Sequence, residues 1–168
     1  MDVMTAIQTR YSCRGFADRP IEKEKIEQIL EAARLAPSAS NQQLCKHIVV
    51  TDKELIKKLV SACRDQQWIE TAPAVLVECG AEDRDMICGQ RARTVDGTIA
   101  LSYMQLTAVS LGLQTCWLGW FFPEQVREIL NIPEDYVVVA VSPIGYPAKE
   151  GHQAARKSLD EVAVYDQM

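Results

Sequence analysis

Arg10 and Arg14 stand four residues apart with a hydroxyl between them, in Arg10-Tyr11-Ser12-Cys13-Arg14. Guanidinium forks match phosphate oxygens in pairs, and a serine hydroxyl can fill a remaining acceptor, so the three side chains could converge on one anion. Alone, two arginines at this spacing suit a solvated helix surface better. A second group, Ala36-Pro37-Ser38-Ala39-Ser40-Asn41-Gln42-Gln43, combines small side chains with amides. Small residues let the backbone come close to a flat ligand, and Asn and Gln offer paired donors and acceptors; an ordinary polar loop has the same composition. A third, Trp117-Leu118-Gly119-Trp120-Phe121-Phe122, sets aromatics around a glycine whose missing side chain lets main-chain N–H groups reach a ligand edge. The alternative there is a hydrophobic corner of the core. Near the C-terminus, Pro143-Ile144-Gly145-Tyr146-Pro147 closes a strand, and the basic pair Arg156-Lys157 is available to a phosphate or merely solvated.

Other chemistries are excluded by their missing patterns. No G-x-G-x-x-G follows a strand, and the sequence holds no G-x-x-x-x-G-K-[ST], no H-E-x-x-H and no G-x-S-x-G. The six cysteines (Cys13, Cys45, Cys63, Cys79, Cys88, Cys116) form no C-x-x-C pair, and neither His47 nor His152 has zinc-ligand spacing from two of them. Free, mostly buried thiols are the expectation. His47 opens a strand and reads as a satisfied structural residue, His152 as exposed, and Glu134-Asp135 after Pro133 as a solvated turn.

The elements that must position these groups follow from periodicity. Ile26, Ile29, Leu30 and Ala33 mark an amphipathic helix over 21–36, with Pro20 at its entry and Pro37 at its end. Residues 47–51 read as a strand, Asp52 as the cap of a second helix carrying Leu55, Ile56, Leu59 and Val60, and 74–77 and 136–142 as further strands. From 97 to 123 there is no charged residue. Ser102, Gln105, Thr107 and Ser110 interrupt that run too often for a membrane span, so 94–111 reads as a helix buried on nearly all sides, ended by Gly112, with 113–118 returning as a strand. Such a helix needs more cover than one small domain provides, which points to a subunit interface. The chain of 168 residues, 48% hydrophobic and 24% charged, suits a single domain spanning 1–168 with an α+β fold, a central sheet flanked by helices. A net charge of −5 with no basic cluster argues against a nucleic-acid partner. The first residues lack a basic region and an apolar stretch, so a cytoplasmic location is expected.

In this order and spacing the segments resemble the nitroreductase family of flavoproteins. The family's Arg-x-Ser-x-Arg-x-Phe signature matches Arg10 to Phe16, and its Ala-Pro-Ser-Ala-x-Asn-x-Gln loop matches Ala36 to Gln43. Gln66-Gln67-Trp68-Ile69 precedes Ala72-Pro73, and the Gly-Tyr-Pro and Arg-Lys-x-Leu segments follow near the end. Ser40 stands where the family often has glycine, and Leu44-Cys45 where Pro-Trp is frequent. The chain is short for the family, with 81–93 as the candidate for a small lid.

The resemblance implies a mostly antiparallel sheet in an intertwined homodimer, with FMN at the subunit interface. Arg10, Ser12, Arg14 and Arg156 would bind its phosphate and ribityl chain, with Tyr11 and Lys157 beside them. Ser38, Ala39 and Asn41 would approach from the partner subunit, Gln66 would face the polar side of the flavin, and Leu118 and Gly119 would offer main-chain donors at the reactive edge. The flavin would carry the chemistry, taking hydride from NAD(P)H and passing electrons to a small planar acceptor such as a nitroaromatic or quinone, with no catalytic side chain. Two rival classes are a non-catalytic flavin-binding or flavin-storage protein on the same fold and a thiol-based redox or metal-binding protein. A visible spectrum separates the flavin readings from the thiol reading, and anaerobic titration with NADH and NADPH separates enzyme from binder.

Overall fold

The computed structural model describes residues 1–81 and 84–168. Its elements are α1 (Val3–Thr9), α2 (Lys23–Arg34), β1 (Cys45–Val50), α3 (Lys53–Ala62), β2 (Ala74–Ala81), α4 (Ala92–Ser110), β3 (Gln114–Thr115), α5 (Pro123–Ile129), β4 (Tyr136–Gly145) and α6 (Leu159–Val162), with short 3-10 turns at Ala39–Asn41 and Gln67–Thr71. The four strands form one antiparallel sheet in the order β1-β2-β4-β3. This is the α+β arrangement expected from the alternation of apolar runs and amphipathic helices.

Alternation along β2 sorts the core into two layers, because successive strand side chains point to opposite faces. Val75, Val77 and Cys79 pack with Ile56, Leu59 and Val60 of α3 and Val126 of α5. Ala74 and Leu76 pack with Ile29 and Ala33 of α2 and Ala100, Leu101, Met104 and Ala108 of α4. Glu78 continues the second face and is fully buried. Gly97 of α4 makes room for it: a Cβ there would come within 3.1 Å of the Glu78 Cγ.

Local signals set most boundaries. The Asp52 side chain accepts a hydrogen bond from the Leu55 N–H at 2.9 Å, capping α3 as expected. Gly112 takes φ +80 just beyond α4, which only glycine adopts freely. The return after it is shorter than expected. Instead of a strand over 113–118, only Gln114 and Thr115 pair with β4, and Leu118 rejoins it through a single bridge to Val141. The charge-free helix is not fully covered by its own chain. One side of α4 is open in the single chain, with Tyr103 43% exposed and Leu106 half-buried beside Val3 and Ala6 of α1.

Candidate functional site

Ser12 and Cys13 lie along the outer side of β3. Ser12 bridges Thr115 in parallel, and the Cys13 N–H donates to the Thr115 carbonyl at 3.0 Å. The two arginines do not share a helix: Arg10 ends α1 and Arg14 lies beyond it, exposed. On an extended segment residues i, i+2 and i+4 share a face, which puts Arg10, Ser12 and Arg14 on one side. Burial fits this at the centre of the segment. Ser12 and Arg14 are exposed and Arg10 half-buried, whereas Cys13 is buried and Tyr11 half-buried. Tyr11 lies on the inner side, its hydroxyl donating to the Lys149 carbonyl at 3.3 Å. Burial raises the Cys116 thiol, with the Arg14 guanidinium opposing it.

The segment after β3 supplies one main-chain donor where two were expected. The Leu118 N–H is committed to the Val141 carbonyl at 2.8 Å. The Gly119 N–H has no acceptor among the described residues, and a Cβ added at Gly119 would meet nothing within 4 Å. Open space surrounds Gly15 in the same way. Gln66 is brought close, its amide Nε2 donating to the Cys63 carbonyl at 2.9 Å and the Trp120 carbonyl at 3.4 Å. Of the aromatics, Trp117 and Phe121 pack into the two core layers, and Trp120 stays 65% exposed. Arg64 stacks over Phe122 at 3.7 Å, adding a cation to this corner.

Residues 38–43 lie at the other end of the sheet. They lead into Cys45, which pairs with Gly80, whereas Thr115 pairs with Ile144, itself opposite Ala74. Six residue steps along β2, from Ala74 to Gly80, separate the two ends, roughly 20 Å at about 3.3 Å per residue. The loop is strained: Ser40, Asn41 and Gln43 have φ of 53, 53 and 55. Ser38 and Ala39 hold it from within and from below. The Ser38 hydroxyl accepts from the Gln43 N–H at 3.0 Å, and the Ala39 N–H donates to the Asp96 carboxylate at 2.9 Å. Arg84 donates to the Ala39 carbonyl and the Ser40 hydroxyl, both at 3.3 Å.

Arg156 and Lys157 are exposed, and the Arg156 guanidinium donates to the carbonyls of Ala154 and Ala155. The segment before them returns to the signature: Gln153 donates to the carbonyls of Ile7 and Arg10 at 3.0 and 3.4 Å. Tyr146 of the Gly-Tyr-Pro segment is a clamp. Its hydroxyl donates to Glu22 at 2.6 Å and accepts from Lys25 at 2.7 Å, with Arg19 stacked 3.8 Å over the ring. Of the candidate lid over 81–93, residues 82 and 83 lie outside the described residues; 84–92 form a small hairpin closed by the Asp85–Arg91 bridge.

The thiols are in the expected state. Cys13, Cys63, Cys79 and Cys116 are buried, and burial pushes Cys63 and Cys79 up to about 12, far from the reactive thiolate. No group of three potential metal ligands occurs among the described residues. His47 is a partnered residue, its Nδ1 2.7 Å from a Glu78 carboxylate oxygen. Sequence reasoning missed Glu78, Asp96 and Arg84. A carboxylate inside the apolar run 74–79 was a usable signal for Glu78; Asp96 and Arg84 are tied to the loop only by the fold.

The nitroreductase family model matches residues 7–94 and 83–146. An Archaeoglobus fulgidus protein is 39% identical over 153 residues, covering 89% of this chain and 87% of that one. A Bacillus subtilis FMN reductase [NAD(P)H] is 30% identical over 179 residues, with coverages of 96% and 72%. A Clostridium difficile 630 nitroreductase family protein superposes over 100% of both chains with a TM-score of 0.89 and 31% identity. The fold is thus that of an α+β reductase scaffold, and the chain belongs to the nitroreductase family. No helix among the described residues is long and apolar enough to cross a membrane.

Proposed function

We propose that this protein is an FMN-dependent oxidoreductase that passes electrons from NAD(P)H to small planar acceptors such as nitroaromatics or quinones. The observation that carries the reading is the placement of Arg10, Ser12 and Arg14 on one face of an extended segment, beside a strand that leads to an open Gly119. These groups fit the cofactor: two cations and a hydroxyl suit a phosphate, and the Gly119 N–H is free to donate to a ring edge where nothing crowds it. Arg156 and Lys157 follow the Gln153 anchor in sequence and add two exposed cations to the reading. FMN, when bound, supplies the capacity to accept hydride and hand electrons on. The chain's part is to fix the phosphate, orient the ring and keep an apolar slot beside Gly119 and Trp120 in which donor and acceptor take turns.

The same reading makes the active unit a homodimer. The loop 38–43 stands roughly 20 Å along the sheet from the signature of its own chain, so Ser38, Ala39 and Asn41 serve the flavin held by a second copy. The surface supports this: Val3, Met4 and Ile7 on α1 and Tyr103 on α4 are all at least 40% exposed, and so are Leu159, Val162, Val164 and Tyr165 in the last eleven residues. These apolar groups suit a mutual wrap between copies. Initial rates with NADH or NADPH at several fixed acceptor concentrations are expected to give parallel double-reciprocal lines. Intersecting lines would rule out a shared slot, and failure of both nucleotides to bleach the flavin anaerobically would favour a binding or storage protein.

A further inference from the structure

Asp96 occupies an unusual place. It is 7% exposed, in the second turn of α4, and it immediately precedes the charge-free run. Its Oδ1 accepts from the Ala39 N–H at 2.9 Å, across a sequence separation of 57 residues. Ala39 begins the 3-10 turn in which Ser40 and Asn41 take positive φ, and Gln43 does so again two residues on. None of these three is glycine. A left-handed residue other than glycine costs roughly 1–2 kcal/mol, so the loop keeps its shape only if its surroundings over-determine it. The bond from Asp96 joins the first residue of the strained turn to the rigid helix beneath. Arg84 touches the same residue from the other side, but at 3.3 Å and from a short hairpin.

We infer that Asp96 is a positioning residue for the flavin site: by holding the Ala39 N–H it fixes the shape in which Ser38, Ala39 and Asn41 meet the cofactor of the partner subunit. This rests on the composite flavin site argued above. The role needs an acceptor oxygen at Asp96 and not its charge, because the contact is a backbone N–H to one carboxylate oxygen. An asparagine can therefore replace it, and an alanine cannot.

The experiment is FMN binding to the full-length protein, followed by flavin fluorescence and visible circular dichroism, with amide exchange at Ala39 measured alongside. If the parent binds no FMN, the flavin reading itself falls, before any variant is compared. With the parent binding, Asp96→Ala is expected to weaken FMN at least about tenfold, alter the flavin dichroism and speed exchange at Ala39. Asp96→Asn should stay within about threefold of the parent with its spectrum preserved. Should Asp96→Ala fail to fold, Ala39→Pro removes the same hydrogen bond from the loop side, at the first position of a turn where proline is tolerated, and the same tenfold loss is expected. Unchanged FMN affinity and dichroism in a folded Asp96→Ala, or in Ala39→Pro if that replaces it, would overturn the inference. So would an Asp96→Asn variant as impaired as the alanine.

Discussion

Residues 10–16 and residues 38–43 sit at opposite ends of one sheet, and they hold their polar groups by opposite means. The first segment is joined to the sheet edge at Thr115, with buried Cys13 between exposed Ser12 and Arg14. Its shape needs no special residue. The second departs from regular structure at three left-handed positions and is held by Asp96 and Arg84, far away in sequence. Cheap geometry suffices where a segment presents charges to a phosphate. Strain is stored where a backbone departs from regular structure, and it has to be held there by the rest of the fold.

The largest effect is expected where the two ends would be joined. If a second copy brings them together across α1 and α4, a charge in that face should abolish the site without touching either segment. Leu106→Glu puts a carboxylate among Val3, Ala6 and Tyr103. An unpaired charge buried in an apolar interface costs several kcal/mol, so the variant should be monomeric by light scattering at micromolar concentration and should lose FMN together with the dimer. A flavin-loaded, well-folded monomer would show that one chain suffices. The next effect is at the signature itself. Arg14→Ala removes one charge-assisted contact, worth about 1.5–3 kcal/mol, and should weaken FMN roughly tenfold to a hundredfold while the thermal midpoint stays near that of the parent, because Arg14 is exposed. Equal affinity in parent and variant would remove Arg14 from the site.

How much of this was legible in the sequence differs between the two ends for the same reason. The helices 23–34, 53–62 and 92–110 and the strands around them were readable because apolar periodicity records which face is buried. The signature stood out by residue type and spacing, and the structure sets Ser12 and Arg14 on either side of buried Cys13. The loop was readable only as a composition. No local rule places three positive φ angles on Ser40, Asn41 and Gln43, and nothing near Asp96 in sequence points to Ala39. The Leu118 N–H was misjudged for a related reason: whether a donor at a strand end is free depends on the neighbouring strand, here the Val141 carbonyl. The open side of α4 is a different case, since the length of the charge-free run already signals more apolar surface than one small domain covers.

A smaller effect concerns the sheet beneath the strained loop. Glu78 is fully buried, with Oε2 on His47 and Oε1 without a partner. Burial raises its carboxyl above the ordinary 4.5, against the opposing pull of His47 and Cys45. A carboxyl that holds its proton more tightly folded than unfolded contributes most below the unfolded pKa, and that contribution is lost as pH rises through the folded value. Glu78→Gln does not titrate. The parent should therefore lose stability relative to the variant as pH rises above about 4.5, read as diverging denaturant midpoints over a pH series. Parallel curves would mean that Glu78 is ionised without penalty, and that the floor of the loop is wetter than the fold shows.

The smallest effect falls on Ser40 alone. Its φ of 53 and ψ of 25 are left-handed, and the residue is exposed. Ser40→Gly removes the left-handed penalty of roughly 1–2 kcal/mol. It also loosens the unfolded chain, at about 0.4–1 kcal/mol, and gives up the 3.3 Å contact from Arg84. The balance is a stabilisation of about 0.5 kcal/mol, read as a small rise in the denaturant midpoint. The matching change at the other end is Gly15→Ala. It meets no neighbour within 4 Å and needs no left-handed backbone, so folding stability should be unchanged or slightly higher. If Ser40→Gly destabilises by more than about 1 kcal/mol, the Arg84 contact, and not Asp96, is what holds the loop. The two ends would then differ in the charge that fixes them more than in their backbone.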